Sequence, residues 1–579
     1  MIIGYIFTAV YIILLLVLTS SVWVSRKSVR KAFSGRVDWK YAAVAVAITL
    51  FFVIFSLVYV HPVEQLYFDE NIYQGIALNI LHNGNALWCQ YGGAYTANCQ
   101  VNQLYHDPVE WSFYLAISFF LFGAGIQTAY GMQLLAGALS ILFAFLLGSL
   151  LLGKRGGIAT AVVLALIPEM LIWSRTQAVP DLAFMTFSTL AFLFYVVYDR
   201  VKTAGTLAMF LSALGIALYM RIEGVLLVPI FILIYLFGEN RSEVAKRLKG
   251  LLSRKAGHSG LILFLFFLGL VPQIYYIAYQ LNNLDYGAGQ ICNLTSNSTF
   301  SIQNFMCNAP ANFAYFLGNY NSVSYYPTYF SPITTIIAVV GAVALVIARR
   351  RGVRKIFIML GLWIFVYYLF FDFFYAGSVT YGVDVRFMLQ LYPAIAIFAA
   401  AGLDLISEAV PDLVSKAAGR RMGQKQHTLL SGAVFIVLIA AFAVSPFMAA
   451  LNITTISPQN MPQEGQAFPA TNFIYANYNS VPANCLVFSF TPDIWYQLNR
   501  SAAQIGYLGS SDANFTKFAS GYSCYVLDYG YWCVVPPYQE STCLSDITQY
   551  NVTSIVSENY PAIGTSKVAL YWINDYNST

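Results

Sequence analysis

Long apolar runs recur along the chain and are separated by short polar segments. A helix needs about 20 apolar residues to cross the hydrocarbon core of a bilayer. Runs close to this length predict twelve membrane-spanning helices, at residues 3–24, 41–62, 127–152, 157–174, 181–198, 206–220, 224–238, 259–279, 332–348, 356–374, 386–405 and 429–450. The run 111–123 is equally apolar but only about thirteen residues long, which favours a helix lying at the membrane interface.

The positions of the basic residues give these helices an orientation. Most of the 31 Lys and Arg residues fall in every second connecting segment, at 25–40, 153–156, 199–205, 239–258, 349–355 and 406–428. Basic residues gather in cytoplasmic loops. We therefore expect these segments to be cytoplasmic and both termini to lie outside. A span at 111–123 would break this alternation.

The composition agrees with this interpretation. Hydrophobic residues make up 58% of the chain and charged residues only 10%, whereas about a quarter of the residues in a soluble domain are charged. The sequence therefore predicts an all-α polytopic membrane protein. Its net charge of +5 is divided among separate loops rather than gathered on one solvated face, so a nucleic-acid partner is not expected.

The cysteines support the same orientation. All eight lie in segments assigned to the outside: Cys89, Cys99, Cys292, Cys307, Cys485, Cys524, Cys533 and Cys543. This distribution is typical of an oxidising compartment. The simplest local pairs are Cys89 with Cys99 and Cys292 with Cys307, while the other four cysteines allow three pairings. Zinc-ligand spacing is absent from the sequence, so we predict no metal bound by cysteine.

The outer segments suggest two domains. Residues 1–450 form the membrane body, with a first outer loop at 63–126 and a long outer loop at 280–330 that could be a lid or an acceptor platform. Residues 451–579 contain strand-like runs such as "CLVFSF" and "CYVLDY" and predict a small extracytoplasmic disulfide-containing mixed α/β domain. Candidate glycosylation sites on the outer side are Asn293, Asn297, Asn452, Asn499, Asn514, Asn551 and Asn577. We interpret the first apolar run as an anchor because no Lys or Arg precedes it.

Charged residues gather at the outer ends of the predicted spans. Beside His106, the basic members are Arg175, Arg221 and Arg386, and the acidic members are Asp69, Glu70, Asp107, Glu110, Asp181, Glu223, Asp372 and Asp384. Ionisable residues at a membrane cost free energy and are candidates for function. Helix caps and interfacial ion pairs are the structural alternative, and for "FDEN" an N-cap at Asp69 is the specific form of it.

These residue types suit sugar transfer from a lipid phosphate. Arginine can hold a phosphate bidentately and stabilise the negative charge that grows as the sugar leaves. A carboxylate nearby can take the proton from an acceptor hydroxyl. Both kinds of group are present at the same rim, so a site for a polyprenyl-phosphate donor is our leading hypothesis.

Two motifs carry a resemblance to a known superfamily. "QLYFDENIYQGIALNI" resembles the first outer loop of the C-type glycosyltransferases, in the branch of the protein O-mannosyltransferases and the lipid A aminoarabinose transferase. The resemblance implies that Asp69 is the catalytic base, with Glu70 as its neighbour. "YHDPVEWSFYLAISFFLFG" resembles the family's H/K-P-P-L-x-x-W segment and aligns His106, although Asp107 replaces the first proline.

Three later motifs follow in the family's order. "WSRTQAVPDLAFMTF" is similar to the loop with the second acidic residue, which implies that role for Asp181, with Arg175 close by. "YMRIEG" resembles an arginine-bearing turn and contributes Arg221 and Glu223. "DVRFMLQLYPAIAI" resembles a helix whose arginine contacts the lipid phosphate, so Arg386 becomes the leading phosphate ligand. Asp384 begins the same motif and is included among the substrate-binding candidates.

The resemblance covers about residues 41–405 and implies an inverting transfer from a polyprenyl-phosphate-linked sugar to a lipid, glycan or protein acceptor. It also implies a multi-pass protein of the plasma membrane, or of the endoplasmic reticulum, with its site outside or in the lumen. The abundance of outer Asn and Tyr would suit an archaeal cell surface. A secondary transporter and a glycosylated surface protein without catalysis are the alternatives.

The sequence predicts no bound cofactor. Walker-type phosphate loops are absent, and the glycine-rich stretches do not follow strands. Some distant members of the superfamily use a divalent metal with a D-x-D motif, but here Asp69 and Glu70 are adjacent. We therefore expect catalysis without a metal.

Overall fold

The structure is a computed structural model of the 579-residue chain. It describes the chain apart from residues 1, 61–67, 177, 239–256, 284–289, 292–293, 296–298, 320–328, 348–350, 375–376, 380–382, 418–422, 455–466, 531–532, 534–542, 544, 546, 560–566, 575 and 577–579. The predicted glycosylation sites Asn293, Asn297 and Asn577 lie outside the described residues.

Helices build the membrane body. They are α1 (Ile2–Val24), α2 (Arg26–Phe33), α3 (Trp39–Tyr59), α4 (Phe68–Asn83), α5 (Glu110–Phe122), α6 (Ile126–Leu152), α7 (Lys154–Ala165), α8 (Pro168–Thr176), α9 (Pro180–Val201), α10 (Ala204–Met220), α11 (Leu227–Gly238), α12 (Gly257–Asn283), α13 (Ile302–Phe316), α14 (Pro332–Ile347), α15 (Arg351–Phe373), α16 (Tyr392–Ala417) and α17 (Gln424–Thr454). Short 3₁₀ segments, Ile222–Leu226 and Val383–Leu391, precede α11 and α16.

Each predicted span coincides with helix. Eight of these helices are long and apolar enough to cross a membrane: α1, α3, α6, α9, α12, α15, α16 and α17. The pair α7 and α8 is bent by 59° and makes a ninth if it is counted as one span. The three remaining predicted spans, at α10, Ile222–Phe237 and α14, are shorter apolar helices. The chain is thus a multi-pass membrane protein, and the thirteen-residue α5 is too short to cross unaided.

Two helices occupy the centre of the body. In α9 and α16, 83% of the apolar window is buried by other parts of the protein, whereas the values are 22% for α1 and 11% for α12. A close helix crossing packs α14 on α16. A Cβ atom at Gly341 would lie 1.9 Å from the backbone oxygen of Phe398, and one at Gly402 would lie 2.3 Å from that of Ile337. Small residues of this kind let membrane helices approach closely. Gly341 and Gly402 therefore allow the close packing of α14 on α16.

A mixed sheet lies beside the body. The C-terminal segment contributes α18 (Ala467–Asn477), β5 (Cys485–Ser489), α19 (Pro492–Gln497), β6 (Ser501–Gln504), α20 (Ala513–Ala519), β7 (Cys524–Tyr529), β8 (Val552–Asn559) and β9 (Lys567–Ile573). The predicted strands "CLVFSF" and "CYVLDY" are β5 and β7, which lie parallel with Cys485 opposite Cys524.

The sheet also includes the first outer loop. Its strand order is β2-β1-β6-β5-β7-β9-β8, where β1 (Trp88–Gly92) and β2 (Val101–Gln103) come from that loop. β1 pairs antiparallel with β6, placing Tyr91 opposite Ala503. Segments that the sequence analysis assigned to two domains therefore share one sheet.

Disulfides fasten this sheet. Cys89 is bonded to Cys99, as predicted. The four C-terminal cysteines form the bonds Cys485–Cys524 and Cys533–Cys543. Cys307 is also disulfide-bonded, but its predicted partner Cys292 lies outside the described residues. None of the described cysteines is free.

The candidate glycosylation sites that are described differ in setting. Asn499, Asn514 and Asn551 are exposed near turns or element ends of the C-terminal segment. Asn452 instead lies in the last turn of α17. An extended loop is the usual setting of a glycosylated asparagine, so the first three positions suit modification better.

Candidate active site

The first turn of α4 carries Asp69 to the edge of the membrane body. Asp69 is partly exposed and accepts a hydrogen bond from the Tyr105 hydroxyl. Tyr73 lies one turn further along α4, on the same face as Asp69, and its hydroxyl donates to Asp107 Oδ2 at 3.3 Å. Two tyrosines therefore orient two carboxylates at the same place.

These tyrosines act as hydrogen-bond donors. Burial raises the pKa of Tyr73 well above its usual value, and the charge of Asp107 raises it further. Burial and the charge of Asp69 do the same to the pKa of Tyr105. Both hydroxyls consequently keep their protons at neutral pH.

Arg221 forms the centre of a charged cluster with Asp107, Asp181 and Glu223, which we call the Arg221 cluster. It follows the last residue of α10, and its side chain is only 6% exposed. Its guanidinium nitrogens lie 2.8 Å from Glu223 Oε1, 3.5 Å from Asp181 Oδ1 and 4.0 Å from Asp107 Oδ2. Three carboxylates from separate segments thus converge on one buried guanidinium.

The cluster keeps Asp107 ionised. Burial acts to raise the pKa of Asp107, but the positive charges of Arg221, His106 and Arg386 outweigh burial and hold it below the usual value. His106 Nε2 lies 4.0 Å from Asp107 Oδ2, and the His106 side chain is 44% exposed. A carboxylate that stays charged while buried needs such cations near it.

A second arginine completes the site. Arg386 lies in the 3₁₀ segment before α16 and is buried. Its guanidinium carbon is 5.0 Å from the centre of the Phe387 ring, and that of Arg221 is 5.4 Å from the same centre. Both guanidinium groups therefore make a cation–π contact with the same ring. Guanidinium groups are chemically suited to phosphate as a ligand.

Comparison with known proteins places this geometry in context. A family model described as dolichyl-phosphate-mannose-protein mannosyltransferase matches residues 106–269, a segment that includes His106, Asp107, Asp181 and Arg221. No curated protein sequence matches the chain.

Three solved structures share its architecture. ArnT from Cupriavidus metallidurans in the apo state has a TM-score of 0.56 at 14% identity, covering 92% of this chain and 98% of that one. The same protein bound to undecaprenyl phosphate has a TM-score of 0.53 at 14% identity, covering 93% of this chain and 99% of that one. The apo oligosaccharyltransferase of Archaeoglobus fulgidus gives 0.50 at 12% identity, over 93% of this chain and 75% of that one. The chain therefore shares the fold of these two proteins.

Asp181 is hydrogen-bonded to the segment that carries Arg386. It begins α9 directly after Pro180, and its side chain is 2% exposed. Its backbone oxygen accepts a hydrogen bond of 2.9 Å from Gln390 Nε2, in the segment that carries Arg386. This hydrogen bond holds the start of α9 against the 3₁₀ segment that precedes α16.

Glu70 contacts the loop between α8 and α9. It is fully buried, and its Oε1 accepts a hydrogen bond of 3.1 Å from the backbone N–H of Ala178, between α8 and α9. Trp111 Nε1 donates to the carbonyl of the same residue at 2.7 Å. Glu70 and Trp111 thus hold the loop that leads into Asp181.

Three other predicted charged residues have different positions. Arg175 lies in the last turn of α8, and no contact within the described parts of the chain joins it to the Arg221 cluster. Asp384 lies in the 3₁₀ segment before α16, but its side chain is outside the described residues. Asp372 is buried and accepts a hydrogen bond of 2.9 Å from Asn312 Nδ2, which fastens α13 to the end of α15.

The site contains three residues that the sequence analysis missed. Tyr73, Tyr105 and Phe387 each contact a predicted residue. Tyr73 could have been found from its spacing, because it stands four residues after Asp69 and so lies on the same face of α4. Tyr105 and Phe387 are direct neighbours of His106 and Arg386, but in a chain with 42 Tyr and 44 Phe their proximity carries little signal.

The distances at the site would also suit a metal ion. Possible ligand atoms of Asp69, His106 and Asp107 lie within 4.8 Å of one another, and carboxylate and imidazole groups bind divalent metals. The Asp69 and Asp107 carboxylates, however, already accept tyrosine hydrogen bonds, and the Arg221 cation is 4.0 Å from Asp107. A fixed positive charge at that distance weakens cation binding.

Proposed function

We propose that this protein is an integral membrane glycosyltransferase that moves a sugar from a polyprenyl-phosphate donor to an acceptor hydroxyl on the extracytoplasmic face. One observation carries the proposal: Asp69, a carboxylate held by Tyr105, lies in the same cluster as the guanidinium groups of Arg221 and Arg386. The fold and the match of residues 106–269 to the mannosyltransferase family support it.

The proposed reaction is a single displacement. Asp69 takes the proton from the acceptor hydroxyl while the hydroxyl oxygen attacks the anomeric carbon. The bond between that carbon and the phosphate oxygen breaks, and its electron pair leaves with the polyprenyl phosphate. Because the attack comes from the side opposite the leaving group, the anomeric configuration inverts. The protein supplies no nucleophile of its own.

The arginines stabilise the leaving phosphate. Arg386 and Arg221 are held against Phe387, so their donors are positioned before charge develops on the phosphate oxygen. Preorganised donors of this kind are usually the largest contribution to transition-state stabilisation. The structure of ArnT bound to undecaprenyl phosphate is consistent with a lipid phosphate as donor here.

The remaining candidates take supporting roles. Asp181 and Glu223 hold the Arg221 guanidinium in place, and Asp107 holds it together with Tyr73. Glu70 positions the loop before α9. His106 is the exposed member of the cluster and is available to the sugar or acceptor. We propose that the reaction needs no metal, because the Arg221 cation stands where a metal's charge would act.

The test is transfer of radiolabelled sugar from polyprenyl-phosphate donors to membrane extract by the purified protein. We expect Asp69→Asn to lower transfer at least about 10²-fold, the lower range for loss of a general base. Asp412→Asn is the matched control, since Asp412 is an exposed aspartate that pairs with His427 away from the site. Equal transfer by wild type and Asp69→Asn would contradict the assignment of the base.

A further inference from the structure

A second charged cavity lies at the opposite end of α9 from the candidate active site. Asp181 begins that helix and Arg200 lies near its end. At 1.5 Å per residue the two are about 29 Å apart, which is close to the thickness of the hydrocarbon core of a bilayer. A ligand of this second cavity would therefore meet the opposite leaflet at the level of its headgroups.

The cavity has a volume of about 460 Å³, and its lining is divided in character. Arg36, Arg200 and Lys355 bring positive charge from the segment after α2, from the end of α9 and from α15, and Asp199 is the acidic group among the lining residues. Apolar side chains, including Leu151, Val196 and Met359, line the rest. A cavity with a cationic part and an apolar part matches an amphiphile with an anionic head.

The positive charges are only partly balanced within the cavity. Lys355 Nζ pairs with Asp199 Oδ2 at 2.9 Å, which accounts for the acidic group in the lining. Arg36 and Arg200 repel one another and Asp199 also attracts Arg200, so a single acidic group of the lining is shared by three basic ones. An anion between them would remove this repulsion, and at a partly buried position such an attraction is stronger than in bulk water.

Backbone contacts hold the Arg200 side chain in the cavity lining. Arg200 Nη1 donates to the backbone oxygen of Ala32 at 3.3 Å, and Nη2 donates to that of Leu150. These contacts use two of the five N–H donors of a guanidinium. Arg36 follows Gly35, whose φ of +72° turns the chain after α2, and a Cβ atom at Gly153 would lie 3.8 Å from Arg36 Nη1. Arg200 is thus a fixed donor for a phosphate, and the exposed Arg36 lies beside it in the same lining.

We infer that this cavity binds the phosphate of an anionic phospholipid in the leaflet opposite the candidate active site, with the upper part of an acyl or isoprenoid chain against the apolar lining. Guanidinium groups bind phosphate bidentately, and basic pockets between membrane helices bind anionic headgroups. This inference does not depend on the proposed transfer reaction, because it concerns the other end of the body.

Native mass spectrometry of the full chain in detergent tests the inference with three probes: phosphatidylglycerol, phosphatidylcholine and inorganic phosphate. We expect retention of phosphatidylglycerol in preference to phosphatidylcholine. Arg36→Ala should weaken phosphatidylglycerol binding about fivefold, the equivalent of about 1 kcal/mol for one basic residue near a lipid surface. Arg36 is exposed, so its removal leaves the fold intact.

Lys27→Ala is the matched control. It removes an equally exposed positive charge at the same end of the body, from α2 but outside the cavity lining, and should leave lipid retention unchanged. Equal binding to wild type and Arg36→Ala, equal losses in Arg36→Ala and Lys27→Ala, or equal retention of the two lipids would overturn the inference. Tight binding of inorganic phosphate without preference for phospholipid would overturn its lipid part.

Discussion

Two buried aspartates in different parts of the molecule have opposite electrostatics. Asp107 lies in the Arg221 cluster, where three cations lower its pKa in spite of burial. Asp528 lies in β7 of the C-terminal segment, where burial raises its pKa to about 6 although Trp495 and Ser489 donate hydrogen bonds to it. Burial acts to raise the pKa of both carboxyls, so the neighbouring cations decide the direction of the net shift. The contrast distinguishes Asp107, which lies beside cations, from Asp528, which has neutral hydrogen-bond donors as neighbours.

The largest expected effect comes from removing the central cation of the first region. Arg221→Ala would leave Asp107, Asp181 and Glu223 buried without it, so the pKa of Asp107 should rise as that of Asp528 does. We expect a loss of about 3–5 kcal/mol in the free energy of unfolding, typical for breaking a buried ion pair, together with loss of transfer. Thermal unfolding in detergent measures the first and labelled-sugar transfer the second.

The comparison variant for Arg221→Ala is Lys154→Ala. Lys154 pairs with Asp38 at 2.6 Å, but both side chains are more than a third exposed, so its loss should destabilise the protein far less than that of Arg221. A similar cost for the two substitutions would mean that burial does not distinguish the cluster from an ordinary surface pair.

The second effect concerns the pH dependence of the C-terminal region. The pKa of Asp528 is about 6 when folded and about 3.9 when unfolded, so the folded state binds the proton more tightly. The contribution of Asp528 to the free energy of unfolding is fully present below about pH 4 and is lost as pH rises through 6. The loss amounts to about 3 kcal/mol. Asp528→Asn should abolish that dependence, as read by hydrogen exchange of β7 amides.

Asp107 provides the opposite slope within the same measurement. Its lowered pKa means that its stabilising contribution is present at neutral pH and is lost as pH falls through the folded pKa. Acidification should therefore increase protection in β7 and decrease it at the start of α4. Parallel changes in the two regions would refute the contrast between them.

A smaller effect is expected from the tyrosine that orients the proposed base. Tyr105→Phe keeps the ring but removes the donor to Asp69, which should lower kcat about tenfold with little change in KM, since a hydrogen bond to a charged group is worth about 1.5–3 kcal/mol. Tyr522→Phe is a control far along the chain, a half-buried tyrosine of the C-terminal segment. An unchanged kcat in Tyr105→Phe would show that Asp69 needs no such support.

The smallest effect should come from chelation. If cations of the protein supply the positive charge at the site, EDTA should leave transfer unchanged within about twofold, a change below about 0.5 kcal/mol. Loss of activity with EDTA and its recovery with a divalent ion would instead assign Asp69, His106 and Asp107 as metal ligands.

The sequence predicted the membrane body because its signals are local. Apolar length placed the spans, and the motifs at Asp107, Asp181, Arg221 and Arg386 placed residues that the structure brings into one cluster. Their shared position follows from a simple rule, since the topology predicted from the sequence assigns each to the outer end of a span or to an outer segment. The Cys89–Cys99 bond was likewise accessible because the two residues are close in the chain.

Other features depend on contacts between distant segments. The pairing of β1 with β6 places Tyr91 opposite Ala503. The sequence of neither strand indicates which strand it pairs with. The same holds for Glu70, which the sequence places beside Asp69. Its carboxylate accepts a hydrogen bond from the backbone N–H of Ala178. The pairing of the last four cysteines also required the sheet, because β5 and β7 had to be placed side by side.

The shared sheet has a consequence for the timing of biosynthesis. A Cβ atom at Gly75 of α4 would lie 1.6 Å from Asp493 Oδ1, and Trp88 donates to the same carboxylate group at 3.2 Å. The helix that carries Asp69 is thus supported by Asp493, which lies about 400 residues later in the chain. At ordinary rates of synthesis this residue is added roughly 20–80 s after the helix. Until then the emerging chain lacks the support for its proposed base, so activity should begin only after β6 has been translated.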